Sequence, residues 1–81
     1  MELKQTIEMM LSDDYKERFK AEYYQLNIRL KKLKNMLEKW DNGTLSFKPI
    51  CSATLYEWQI ECMETYLEVL KVRAEIEAIE L

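Results

Sequence analysis

Residues 54–81 read TLYEWQIECMETYLEVLKVRAEIEAIEL, and how this stretch is buried decides the fold. At about 100° per residue, Tyr56, Ile60, Met63, Leu67, Leu70 and Ala74 fall on one side of a helix. Leu55, Trp58, Cys62, Val69, Val72, Ile76 and Ile79 fall on nearly the opposite side. A helix that is apolar most of the way round expects burial from two directions, and the chain offers only one other long helix. The second cover must then come from the short N-terminal segment, the connecting loop, another copy of the chain or a foreign protein. The spacing predicts a helix over 54–80, started by the capping-box pair Thr54 and Glu57.

Immediately upstream, residues 41–53 read as an ordered loop. Asp41, Asn42 and Gly43 end the preceding helix, with Gly43 or Asn42 suited to the left-handed cap. Leu45, Phe47 and Ile50 give the loop apolar side chains and Pro49 keeps it non-helical, so it is expected to fold back over one end of the helices. Before it, Phe19, Tyr23, Leu26, Leu30, Leu33, Leu37 and Trp40 follow alternating spacings of four and three, a heptad seam that predicts a helix over 13–40. Arg29, Lys31, Lys32, Lys34 and Lys39 give it a basic end, which dipole compensation and salt bridges explain more cheaply than the alternative of phosphate or nucleic-acid contact. Asp14, with Glu17 three residues later, suits its start. Leu3, Ile7, Met10 and Leu11 predict a short amphipathic helix over 2–11. Two long helices of similar length joined by a modest loop favour an antiparallel arrangement. The expected fold is all-α: a short N-terminal helix plus a long antiparallel, coiled-coil-like helical hairpin. It is expected to be oligomeric, a dimer or higher, through the spare face of the last helix.

Composition narrows the chemistry. A chain of 81 residues is one domain, and at that size only about 60–65% of the unfolded surface can be buried. There is no His, which removes the commonest general base and metal ligand together. Cys51 and Cys62 lack both the spacing and the companions of a zinc site, so they read as reduced thiols and no metal or cofactor is expected. No apolar run approaches the roughly 20 residues that span a bilayer. A net charge of −3 argues against direct nucleic-acid binding, which needs a dominant basic footprint. With no nucleophile beside a base and no Gly-rich phosphate loop, an enzyme is not expected.

Three side-chain groups are candidates for function. Gln59, Tyr66 and Arg73 recur at intervals of seven and form one polar line on the last helix. Such a line suits a planar anionic ligand, with Tyr66 stacking and Arg73 on phosphate. Alternatively, Arg73 pairs with Glu17 or Glu22 on the antiparallel helix and the line is a register device. Tyr24 and Ile28, on the side of the middle helix away from its seam, join Trp58, Val69, Val72 and Ile76 as a candidate partner-binding surface. Glu57, Glu61, Glu64, Glu68 and Glu75 form an acidic ridge, read as a solvated face because a cation site collects ligands from several elements.

Tyr15, Arg18, Glu22, Leu26, Leu30, Leu33 and Leu37, followed by Gln59, Met63, Tyr66, Leu70 and Arg73, resemble a family of short helical-hairpin proteins of tailed phages and prophages, typified by a crAss-like phage protein. The resemblance spans roughly 14–73 and leaves out the N-terminal helix and the apolar loop. It implies a phage accessory protein acting in the cytoplasm of the host bacterium, and supplies no catalytic residues. Combined with the surplus apolar surface, it gives as first expectation a counter-defence inhibitor, for example an anti-CRISPR protein, that binds and blocks a host immune protein. The alternatives are an oligomeric sponge holding a signalling nucleotide with Tyr66 and Arg73, and a structural assembly module.

Overall fold

The computed structural model describes Met1–Leu81 and contains helices and turns with no strand. A 3-10 turn, Leu3–Thr6, runs into α1, Ile7–Met10. Two long helices follow, α2 over Tyr15–Asp41 and α3 over Ala53–Ile76. The all-α expectation is met. Contacts between α2 and α3 descend along one helix as they climb the other: Tyr15 meets Glu77, Phe19 lies under Arg73, Glu22 accepts from Tyr66, and Trp40 packs edge-on to Tyr56. The two helices therefore run in opposite directions. The molecule is a rod of 43 × 24 × 17 Å, in keeping with a 27-residue α2 at about 1.5 Å per residue. Its radius of gyration, 15.0 Å, exceeds the value of about 12 Å for a compact domain of this length.

The α2 seam packs on the inner face of α3. Phe19, Leu70, Ala74 and Ile79 form the core, with Tyr23 and Leu26 against it and Leu30 and Leu67 buried further along. Burial is confined to the half of the rod that holds the chain termini. Between Leu30 and Leu67 no residue is fully buried, although Leu33, Leu37, Trp40, Tyr56, Ile60 and Met63 are partly covered.

Helix ends explain most differences from the expected boundaries. Asp14 caps α2, its carboxylate accepting from the Lys16 amide at 3.0 Å. For α3 the cap is Ser52, whose hydroxyl accepts from the Leu55 amide at 3.2 Å, so the helix begins one residue before Thr54. Gly43, at φ 77°, ends α2 with amides of Gly43 and Thr44 folding back to Trp40 and Lys39. The same double closure ends α3: Ala78 turns left-handed at φ 56°, its amide reaches Glu75 and the Ile79 amide reaches Ala74 at 2.8 Å. The expected continuation of α3 to residue 80 therefore stops at Ile76. Ile79, periodic with the outer face, is instead turned back into the core beside Ala74.

Two other expectations are corrected. The N-terminal segment is helical over Leu3–Met10, near the expected 2–11, but it begins as a 3-10 turn and does not bury Ile7, Met10 and Leu11; all three are exposed and the buried side chain is Thr6. Within the 3-10 turn a repeat of three residues sets Leu3 and Thr6 on the covered side, and Met9 of α1 follows them there. Nor does the loop fold its apolar residues over the rod: Leu45 is partly covered, while Phe47 is exposed and Ile50 entirely so, at 102%.

Candidate ligand groove

Next to its seam, α2 carries a second line at the same spacing: Arg18, Glu22, Gln25, Arg29, Lys32 and Met36. Spacings of four and three keep these residues on one edge of the helix. Across from that edge runs the polar line of α3. Between the two lies a groove in two connected parts. The part nearer the termini encloses about 280 Å³ among Met10, Arg18, Glu22, Gln25, Arg29 and Tyr66. The other encloses about 530 Å³ and takes in Lys32, Leu33, Met36, Gln59 and Met63. Leu26 and Arg29 line both parts and join them.

The groove's charge is cationic on balance. Arg18, Arg29 and Lys32 have no carboxylate partner, since the chain's ion pairs engage Lys4, Lys20, Lys34, Lys71 and Arg73. The one acid on the wall, Glu22, already accepts from the Tyr66 hydroxyl. That bond fixes the phenol on the rim while leaving Tyr66 44% exposed. Arg18 is steadied by a 2.8 Å bond from its Nη1 to the Ser12 carbonyl. Gln25 donates to the buried Thr6 hydroxyl at 3.0 Å and touches the Met10 sulfur, tying the N-terminal segment to the groove wall. Thr6 donates in turn to the Leu3 carbonyl.

The expected line of Gln59, Tyr66 and Arg73 is thus divided. Gln59 and Tyr66 line the groove, whereas Arg73 lies beyond its end, stacked over the Phe19 ring at 4.9 Å. Its Nη2 donates to the Tyr15 hydroxyl at 3.0 Å and its Nε to Glu77 at 3.3 Å. The anticipated partners Glu17 and Glu22 are not the ones it finds. Burial pulls the Arg73 guanidinium toward lower pKa, but Tyr15 and Glu77 outweigh it, and the net shift is upward. The Tyr15 hydroxyl is pushed up chiefly because it donates to Glu77. These are the marks of a structural clasp between α2 and the α3 terminus.

The other candidate surface is also divided. Ala21 is fully buried and shares an edge of α2 with Gln25, the anchor of the N-terminal segment. Tyr24 and Ile28, on that side, are half-buried. Trp58, Val69, Val72 and Ile76 stand exposed on the outer face of α3. The acidic ridge is partly engaged, with Lys34 on Glu64 at 3.0 Å and Lys71 on Glu68 at 3.2 Å. No group of three or more Cys, Asp or Glu converges as a metal site would need, and no helix is long and apolar enough to cross a membrane.

Sequence reasoning missed Arg18 and Gln25 as site residues, and it set Arg29 and Lys32 aside within a basic helix end. The signal was the second line of four-and-three spacing on α2, hidden because polar residues flanking a seam read as solvated. A family model described as Sequestin matches residues 13–76, which hold α2, the loop and α3. No curated protein and no solved structure matches the chain.

Proposed function

The chain belongs to the Sequestin family, and from that premise we propose that it captures and holds a small signalling nucleotide in the groove between α2 and α3. The family's name speaks of sequestration, and the observation that carries the reading is the unpaired trio Arg18, Arg29 and Lys32 beside the exposed ring of Tyr66. Guanidinium groups hold phosphate through paired, charge-assisted hydrogen bonds. A phenol on the rim offers a stacking platform for a base, and Gln25 and Gln59 supply amide groups for its edge. The working unit is an antiparallel, coiled-coil-like hairpin of α2 and α3. It binds without chemistry, since the groove offers no nucleophile next to a base.

The same geometry favours capture over blocking a host immune protein. Two residues of the expected blocking surface, Tyr24 and Ile28, are half-buried on the side of α2 that meets the N-terminal segment. Within the proposal, the setting is a bacterium whose defence signals through such a nucleotide, and the chain acts as a phage-encoded sponge.

Calorimetric titration of the protein with a panel of cyclic and linear nucleotides tests the reading. One member of the panel should bind, and Arg29→Glu should abolish its heat while leaving the helical circular dichroism intact. Absence of heat across the panel, or an unchanged affinity in Arg29→Glu, removes the groove from the argument.

A further inference from the structure

The outer face of α3 goes beyond the ligand groove, because it is a complete coiled-coil seam with nothing on it. Leu55, Trp58, Cys62, Thr65, Val69, Val72 and Ile76 alternate by three and four without a break, and every one of them is exposed. The phase of that alternation assigns Leu55, Cys62, Val69 and Ile76 to one core position of the heptad and Trp58, Thr65 and Val72 to the other. The seam extends about 32 Å at 1.5 Å per residue. The lone polar member is already satisfied: the Thr65 hydroxyl donates to the Glu61 carbonyl of its own helix at 3.0 Å, so its burial strands no donor.

The surface is also shaped for a second helix. Two shallow hollows open on this face, one of about 330 Å³ lined by Thr65, Glu68, Val69 and Val72 with Arg73 at its edge, the other of about 410 Å³ lined by Trp58, Glu61, Cys62 and Thr65. In each, the four seam-side residues stand at i, i+3, i+4 and i+7. That is the composition of a hole that receives one side chain from a facing helix.

Charge identifies the occupant and its direction. One flank of the seam carries Thr54, Glu61, Glu68 and Glu75, and the other carries Gln59, Tyr66 and Arg73. Placed antiparallel to a copy of itself, the helix sets its acidic flank against the same flank, with Glu61 opposite Glu68. Placed parallel, it sets Thr54 opposite Gln59, Glu61 opposite Tyr66, and Glu68 opposite Arg73 of the second copy. Arg73 has a nitrogen to offer, since its bonds within the chain use Nε and Nη2. We infer that the protein is a parallel dimer, in which the outer faces of two α3 helices pack in register with Val69 against Val69. Its α2 helices lie away from the seam, and each ligand groove opens beside it, with Gln59 and Tyr66 on the shared rim.

The test needs no nucleotide, so its failure and the failure of the ligand reading are separate. Light scattering on the full chain should give twice the 9.8 kDa subunit mass. Val69→Glu should weaken that dimer by more than about tenfold without loss of helical circular dichroism. In a Cys51→Ser, Cys62→Ser background, Val69→Cys should form an intermolecular disulfide under mild oxidation, because in-register parallel packing brings the two positions together. A monomer, or any mass other than a dimer, overturns the inference. So does a dimer that survives Val69→Glu, and so does a dimer whose Val69→Cys form resists oxidation.

Discussion

Leu70 and Val69 are neighbours on one helix, both aliphatic, and the fold treats them in opposite ways. Leu70 is fully buried while Val69 is 51% exposed. The contrast runs the length of α3: Leu67, Leu70 and Ala74 sit against α2, and Trp58, Val72 and Ile76 stand 64%, 52% and 78% exposed. Hydrophobicity does not separate the two faces. What separates them is supply, because one chain of this size furnishes only one long helix to cover a helix that has two apolar sides. The inner face holds the fold together and the outer face is left uncovered.

The pair Leu70 and Val69 is the sharpest way to break that comparison. Leu70→Ala removes a side chain from the middle of the core and should cost about 2–5 kcal/mol, the range for buried leucines. Val69→Ala, measured by urea unfolding at a concentration where free subunits dominate, should change stability by no more than about 0.5 kcal/mol. Equal losses would mean that both faces are covered within one subunit. The second comparison lies along the inner face. The half of α3 from Ala53 to Tyr66 has no fully buried residue, so its start leans on the Ser52 cap. Ser52→Ala should cost about 1 kcal/mol, and hydrogen exchange should show the loss in the first turns of α3 while the Leu67 to Ala74 segment keeps its protection.

The sequence disclosed both apolar faces of α3 and the seam of α2, because each repeats at a fixed spacing. It did not disclose which face of α3 would be taken, since a period contains no information about the partner. The turned-back end is a different kind of omission. Ala78 has no Gly-like signature for a left-handed residue, and Ile79 fits the outer stripe as well as it fits the core. Thr6 was unreadable for a related reason: an i+3 repeat over one short turn is too brief to compete with the helical pattern of Leu3, Ile7 and Met10. In the groove, Tyr66 and Gln59 were visible from their interval of seven and Lys32 as part of a basic helix end, whereas Arg18 gains meaning only once α3 lies beside it. Arg73 illustrates the converse, being legible as functional in sequence and engaged as a clasp in the fold.

That turned-back end provides the next way to sharpen the comparison, because it places an outer-stripe residue on the inner face. Ala78 occupies a backbone conformation that glycine adopts at less cost. Ala78→Gly should therefore relieve strain and raise stability by about 0.5 kcal/mol or somewhat more, against a partial offset from the greater freedom of glycine in the unfolded chain. A lower melting temperature in Ala78→Gly would mean that the left-handed turn and the burial of Ile79 are not coupled as described.

The smallest effect concerns the clasp that closes the same end. Tyr15 donates to the Glu77 carboxylate at 2.6 Å, and its folded pKa lies above the ordinary value of 10.0 chiefly for that reason. A group that holds its proton more tightly when folded stabilises the fold fully below its unfolded pKa. The contribution is lost as pH rises through the higher folded value, where a phenolate would face the carboxylate. Both groups are open to solvent, so screening keeps the contribution small. Against Tyr15→Phe, the native chain should show a melting-temperature advantage that is constant between about pH 7 and 9 and shrinks above about pH 10. An advantage that persists undiminished at higher pH would show that the Tyr15 ring, through its tilted contact with Phe19 at 6.3 Å, and not its hydroxyl, fastens the end of α3 to α2.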